Sequence, residues 1–85
     1  MRQHQLAIQA RSCPEILERI LRVTRHRGFE ICSMNMDQTM DGYNVNIELI
    51  VASQRPVNLL FSQLTKLVDV AGVKILQPKS QLIRA

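Results

Sequence analysis

Apolar and polar residues alternate along parts of the chain, and a period of two is typical of a strand with one buried face. The clearest alternation covers residues 43–52. Its apolar positions are Val45, Ile47, Leu49 and Val51, and its polar positions are Asn44, Asn46 and Glu48. Further strands are predicted over residues 3–10, 29–36 and 70–77. The sequence therefore predicts four strands.

The strand predicted over residues 29–36 has an apolar residue on each face. Strict alternation places Phe29 and Ile31 on one face of this strand. The other face would then carry Cys32, Met34 and Met36. A turn at Asp41–Gly42 connects this strand to the next one along the chain.

A helix is predicted between the first two strands, where Ile16 and Ile20 begin an apolar stripe at helical spacing. Ser12 and Glu15 fit a capping box, in which the hydroxyl and the carboxylate each satisfy a free amide at the helix start. Gly28 is predicted to end this helix, because glycine readily adopts the left-handed conformation found after a helix C-terminus.

A second helix is predicted to begin at Pro56, because a residue in the first helical turn does not need its N–H. One face of this helix is apolar and carries Val57, Leu60, Phe61, Leu64 and Leu67.

The predicted element order is β-α-β-β-α-β, the ferredoxin-like arrangement of the α+β class. Right-handed crossovers place both helices on one face of a four-stranded antiparallel sheet with strand order 4-1-3-2. The 85 residues form one domain over 1–78, followed by a polar tail over 79–85. The predicted core comprises Ile16, Ile20, Leu21, Val45, Ile47, Leu49, Leu60, Phe61 and Leu64.

Three surfaces of this fold are candidates for contacts with other chains. The strand over 29–36 lies at a sheet edge, where unpaired backbone can pair with a second copy. Met34 and Met36 would pack across such a homodimer seam, or else fill the monomer core. The open sheet face presents Gln9, Asn44, Asn46 and Glu48. The first helix presents a basic side with Arg19 and Arg22.

The formal net charge is +4, and much of the excess lies in Arg19, Arg22, Arg25 and Arg27. These residues form either a solvated helix face with cations near its C-terminus or a contact surface for an acidic protein or a nucleic acid. RNA-binding domains of this fold stack bases on aromatic residues of the two central strands. Those strands carry none at their centres here, so we do not expect nucleic acid as a partner.

The residues that commonly carry chemistry are few and scattered. Cys13 and Cys32 lack the C-x-x-C spacing of a metal-binding loop, and we expect both to be small buried hydrophobes. Neither His4 nor His26 stands beside a nucleophile in the sequence. The glycines at 28, 42 and 72 form no phosphate-binding loop. We therefore predict a binding module with no catalytic residues and no metal.

The same two cysteines, without a secretion signal, indicate a reduced, cytoplasmic protein. The longest apolar runs are a few residues long, far short of a membrane span, so no membrane contact is expected.

The stretch Gln-Leu-Thr-Lys-Leu-Val-Asp-Val over residues 63–70 resembles the "Q-L-x-K-L-V-D-V" segment of acetohydroxyacid (acetolactate) synthase regulatory subunits. Arg27-Gly28-Phe29 resembles the "R-G-aromatic" unit that precedes their second strand. The likeness covers nearly the whole chain and is strongest to the short subunits of the isozyme II type. Members of this family contain an ACT domain, which has the element order predicted above.

This resemblance implies a homodimeric ACT domain that binds and activates the catalytic (large) subunit of acetolactate synthase. That enzyme catalyses the first common step in the synthesis of valine, leucine and isoleucine. Thiamine diphosphate, Mg²⁺ and FAD would be bound by the large subunit and not by this chain.

In effector-sensitive relatives the amino-acid ligand lies at the ACT dimer interface, near an "N-x-x-G" pattern in the first loop and a further Asn in the second strand. These positions fall on Ser12, Glu15 and Glu30 here. The resemblance thus implies a degenerate effector site with weak or absent valine feedback. Two alternatives from other classes are a stand-alone amino-acid sensor and an RNA-binding module.

Overall fold

The computed structural model describes residues 2–76 of the chain, so the predicted tail over 79–85 and the domain end at 78 lie outside the described residues. The elements follow the predicted order, β-α-β-β-α-β. They are β1 (Arg2–Arg11), α1 (Ile16–His26), β2 (Glu30–Gln38), β3 (Asn44–Ser53), α2 (Val57–Thr65) and β4 (Val70–Leu76). The sheet order is β2-β3-β1-β4, with every neighbouring pair antiparallel. The predicted ferredoxin-like fold is confirmed.

The core lies between the sheet and the two helices. The central strands β1 and β3 pair along their whole length, with Leu6 opposite Leu49 and Ile8 opposite Ile47, all four fully buried. The helices contribute Ile16, Ile20, Leu60 and Leu64. Burying an aliphatic side chain of this size contributes about 1.5–3 kcal/mol, so these residues dominate the stability of the domain.

Two predicted core residues, Leu21 and Phe61, are only half-buried. Each follows a fully buried residue, Ile20 or Leu60, and successive helix positions are rotated by about 100°. Each side chain therefore points to the flank of its helix. The buried stripe of α1 continues instead to Thr24, whose hydroxyl donates to the Ile20 carbonyl at 2.7 Å.

The faces predicted for the second strand are wrong because β2 contains a bulge. Ile31 pairs with Val51 and Ser33 with Ile50, so Cys32 is an extra residue in the ladder. Beyond the bulge, Met34 lies opposite the buried Leu49. Ile31 and Met34 therefore pack on the same, helix-facing side against the core. Cys32, which was expected to be buried, is exposed.

The turn between β2 and β3 is stabilised by Asp41. Its carboxylate accepts hydrogen bonds from the Thr39 hydroxyl and from the Tyr43 amide, which lower its pKa below the usual range. Gly42 adopts a φ of 78°, a conformation that glycine reaches at no steric cost. The turn fixes the register in which Gln38 pairs with Val45.

In residues 2–76, no helix has both the length and the apolar character needed to cross a membrane.

Candidate subunit interface

The loop between β1 and α1, the predicted effector loop, is attached to the β2–β3 hairpin. The Ser12 amide donates to the Tyr43 carbonyl at 2.9 Å, and the Ser12 hydroxyl accepts from the Gln38 side chain at 3.3 Å. A cleft of about 500 Å³ lies beside this loop. It is lined by Ser12, Cys13, Pro14, Ile16, Leu17, Met36, Gln38 and Val45. The loop and the edge strand thus share one surface.

The predicted capping box is wrong. Helix α1 begins at Ile16, and Glu15 occupies the N-cap position with no hydrogen bond from its side chain. The Ile16 amide instead donates to the Cys13 carbonyl at 3.2 Å, across a turn that contains Pro14. Because the Ser12 hydroxyl is directed to Gln38, it is not a cap, and the exposed Glu15 carboxylate does not occupy the first-turn amides.

Asp69 is a residue of this loop region that the sequence reasoning missed. Its carboxylate lies 3.3 Å from the Arg19 guanidinium and accepts from the Cys13 thiol at 3.5 Å. Its carbonyl accepts from the Arg11 amide at 2.7 Å. Asp69 therefore fastens α1 to the start of β4, and Arg19 is engaged within the chain. Arg19 and Asp69 are 50 residues apart in the sequence, so no local pattern predicts their contact.

The other basic candidate on α1, Arg22, is exposed on the outer face of the helix. It lines a shallow cleft with Glu18, Leu21, Arg25 and His26. Of the two arginines predicted to form a docking surface, Arg22 is the one that remains available, because the only ion pair within residues 2–76 is Arg19–Asp69.

The edge strand β2 carries the two methionines predicted to form a seam. Met34 is half-buried against the core, whereas Met36 keeps 47% of its surface exposed. Met34 therefore fills the monomer core, and Met36 lies on the surface, where it lines the cleft beside the loop.

Glu30, the third degenerate effector position, lies far from the other two. It is at the start of β2, opposite Ala52, whereas Ser12 contacts Gln38 at the end of that strand. Eight strand residues rise roughly 26 Å at about 3.3 Å each. Within one chain, Glu30 therefore cannot share a ligand with Ser12 and Glu15.

The open sheet face is polar, as predicted. Gln9, Asn44, Asn46 and Glu48 are exposed and alternate with buried residues of β1 and β3. Gln9 pairs with Asn46, and Ala7 lies between Glu48 and Lys74. Gln9, Asn46 and Glu48 line a hollow of about 500 Å³. The hollow contains hydrogen-bonding groups suited to contact with another protein.

Within residues 2–76, no group of three or more His, Cys, Asp and Glu side chains could hold a metal ion. Cys13 and Cys32 are both free thiols.

Comparison with known proteins identifies sequence relatives. The family model of the ACT domain matches residues 12–73. The acetolactate synthase isozyme 2 small subunit of Escherichia coli (strain K12) is 63% identical over 87 residues, an alignment that covers 100% of both chains. The subunit of that name from Shigella flexneri matches equally well.

Solved structures show the same fold. The acetolactate synthase small subunit of Thermotoga maritima superposes with a TM-score of 0.82 at 20% identity, over 95% of this chain and 51% of that one. The ACT domain of the GTP pyrophosphokinase of Chlorobium tepidum gives a TM-score of 0.73 at 17% identity, over 87% of this chain and 96% of that one.

Proposed function

Because this chain belongs to the ACT-domain family, and within it to the acetolactate synthase isozyme 2 small subunits, we propose that it binds an acetolactate synthase catalytic subunit and activates it. The observation that carries this proposal is the full-length identity of 63% to the Escherichia coli small subunit. The polar open sheet face and the exposed outer face of α1 supply surfaces for the contact. A non-catalytic role agrees with the name of small subunit that these relatives bear.

We infer that activation works by differential affinity. The small subunit would bind the active arrangement of the catalytic subunit more tightly than the inactive one and so raise its population. A change from about 10% to about 90% active requires roughly 2.6 kcal/mol of such preference. An interface of ordinary size can supply that difference.

We assign the chemistry of the reaction, which serves branched-chain amino acid synthesis, to the catalytic subunit. That subunit would bind thiamine diphosphate, Mg²⁺ and FAD. We place the complex in the cytoplasm, because a reducing compartment suits the two free cysteines.

We further propose that the chain forms a homodimer through β2. This strand lies at the edge of the sheet, so one side of its backbone is free to pair. A two-fold antiparallel pairing centred on Met34 would place Glu30 of one copy beside Gln38 of the other. Such a dimer would bring Glu30 of one copy close to Ser12 and Glu15 of the other copy at the seam.

Sedimentation at micromolar concentration tests the dimer. We expect a species of twice the chain mass, and we expect Met36→Asp to shift it to monomer because a charge would be buried in the seam. Met40→Asp is the matched control, since Met40 is fully exposed in the β2–β3 turn. A monomer of about 10 kDa for the unmodified chain would disprove the dimer.

Charge-reversal variants test which of the two candidate docking surfaces contacts the catalytic subunit. Glu48→Arg alters the open sheet face and Arg22→Glu alters the outer face of α1, and both residues are exposed. Reversing a charge at a docked rim position is expected to weaken binding by about tenfold. The concentration of small subunit that gives half-maximal acetolactate formation is the measurement. If neither variant changes it, neither surface meets the catalytic subunit.

A further inference from the structure

Charged side chains are distributed unequally between the two ends of the sheet. At the end where β1 begins and α1 finishes, the cationic or titratable basic residues outnumber the acidic ones. We call this group the basic end, and it consists of Arg2, His4, Arg25, His26, Arg27 and Arg55. Within residues 2–76, Glu30 contributes a carboxylate to this end at the start of β2. Glu18 lines the shallow cleft on α1 with Arg25 and His26.

Hydrogen bonds draw the parts of the basic end together. The Ser53 hydroxyl donates to the Gly28 carbonyl at 3.0 Å, and the Arg55 amide donates to the Ser53 hydroxyl at 3.0 Å. Ser53 also pairs with Arg2 across the sheet. The Arg55 side chain lies over Gly28 so closely that a Cβ on that glycine would be 2.9 Å from the arginine Nε. The end of α1, the start of β1 and the β3–α2 loop thus form one surface.

A cleft of about 650 Å³ opens within the basic end, between Arg2, His4 and Arg55 and the first residues of α2. Within residues 2–76, the buried His4 Nε2 has no hydrogen-bond partner. Helix α2 has no side-chain cap and no acidic residue in its first turn. The cleft therefore combines two guanidinium groups with an imidazole nitrogen that no described residue satisfies.

At the opposite end of the sheet, carboxylates outnumber cationic side chains. Four carboxylates lie there, on Glu15, Asp37, Asp41 and Asp69. The one ion pair found within residues 2–76, Arg19–Asp69, is at that end as well. The residues that follow Leu76 in the sequence include Lys79 and Arg84 but no Asp or Glu. Of the described residues, Glu18 and Glu30 are the acidic side chains near the basic end, and neither lines the cleft that contains Arg2 and Arg55.

We propose that the basic end docks on an acidic surface of the catalytic subunit, with a carboxylate side chain of that subunit inserted into the cleft. This inference rests on the proposed function and adds a third contact surface to the two named there. A one-signed patch of this kind attracts an oppositely charged protein partner and speeds its association. A nucleic acid is the less suitable partner because base stacking needs exposed aromatic rings. Tyr43, the exposed aromatic residue among those described, is at the other end of the sheet.

A pair of charge-reversed variants tests the inference. Arg55→Glu changes the cleft, and Lys66→Glu makes the same change in net charge at the opposite end. Both side chains are exposed, and thermal melting is used to check that each variant folds. Activation of the purified catalytic subunit is titrated with each variant at low and high salt.

For the cleft variant, the concentration that gives half-maximal activation is expected to rise by at least about tenfold. The salt dependence of this concentration should be weaker than for the unmodified chain. The control variant should remain within about twofold of the unmodified chain. Equal activation by both variants, or equal loss in both, overturns the inference while the proposed function stands. Failure of the unmodified chain to activate removes the proposed function and this inference together. Tight binding of an RNA oligonucleotide that the cleft variant abolishes, with activation unchanged, would assign the basic end to nucleic acid instead.

Discussion

Replacement of Ile47 by aspartate is expected to abolish folding of the domain. Ile47 is 1% exposed and pairs with Ile8 at the centre of the sheet, beneath the helices. The substitution removes an aliphatic side chain, which costs about 2–5 kcal/mol, and buries a charge without a partner, which costs several kcal/mol more. A domain of this size has a free energy of unfolding of only about 4–13 kcal/mol. Circular dichroism and thermal melting provide the measurement.

Asn44→Asp is the control for this prediction. It introduces the same charge in the same strand, but Asn44 is exposed on the open face and pairs with Arg11. Its free energy of unfolding should change by no more than about 0.5 kcal/mol. A soluble Ile47→Asp variant that melts cooperatively would show that the register of β3 has been misassigned.

Valine is expected to bind this chain at least about 10³-fold more weakly than it binds a relative that carries the complete effector pattern. Ser12 and Glu15 replace the Asn and Gly of the loop, and Glu30 replaces the strand Asn. In the proposed dimer, Glu15 of one copy and Glu30 of the other would face the ligand carboxylate. Like charges at about 4 Å cost roughly 4 kcal/mol at an effective dielectric near 20, which is on the order of 10³ in affinity.

The matched comparison is a variant that restores the pattern, Ser12→Asn with Glu15→Gly and Glu30→Asn. Calorimetric titration with valine should give no heat of binding for the unmodified chain in the micromolar range and a measurable affinity for the restored one. Micromolar binding by the unmodified chain would contradict the assignment of Glu15 and Glu30 as unfavourable residues.

The fold was predictable because β1, β3 and the buried stripes of both helices have strict periodicity. The bulge at Cys32 was not, since a single inserted residue shifts every following side chain to the other face and leaves no signature in the sequence. For that reason Met34 was assigned to the wrong side of β2. Leu21 and Phe61 were misjudged for a related reason, because an apolar residue on the flank of a helical stripe satisfies the same pattern as one at its centre.

The site was less predictable than the fold. Ser12 and Glu15 match a capping box in sequence, but Gln38 competes for the Ser12 hydroxyl from an element 26 residues away. Asp69 and the cleft around His4 and Arg55 depend likewise on contacts between distant elements. Glu30 can join Ser12 and Glu15 only through a second copy, which the sequence of one chain cannot show.

Reconstitution with a purified acetolactate synthase catalytic subunit is the most direct test of activation by this chain. Acetolactate formation is measured as the small subunit is titrated, with the Ile47→Asp variant as the inactive control. We expect a saturable rise of up to about ninefold, which corresponds to a shift from about 10% to about 90% of the active arrangement. A rate that stays constant as the small subunit is raised to well above micromolar concentration would contradict this expectation.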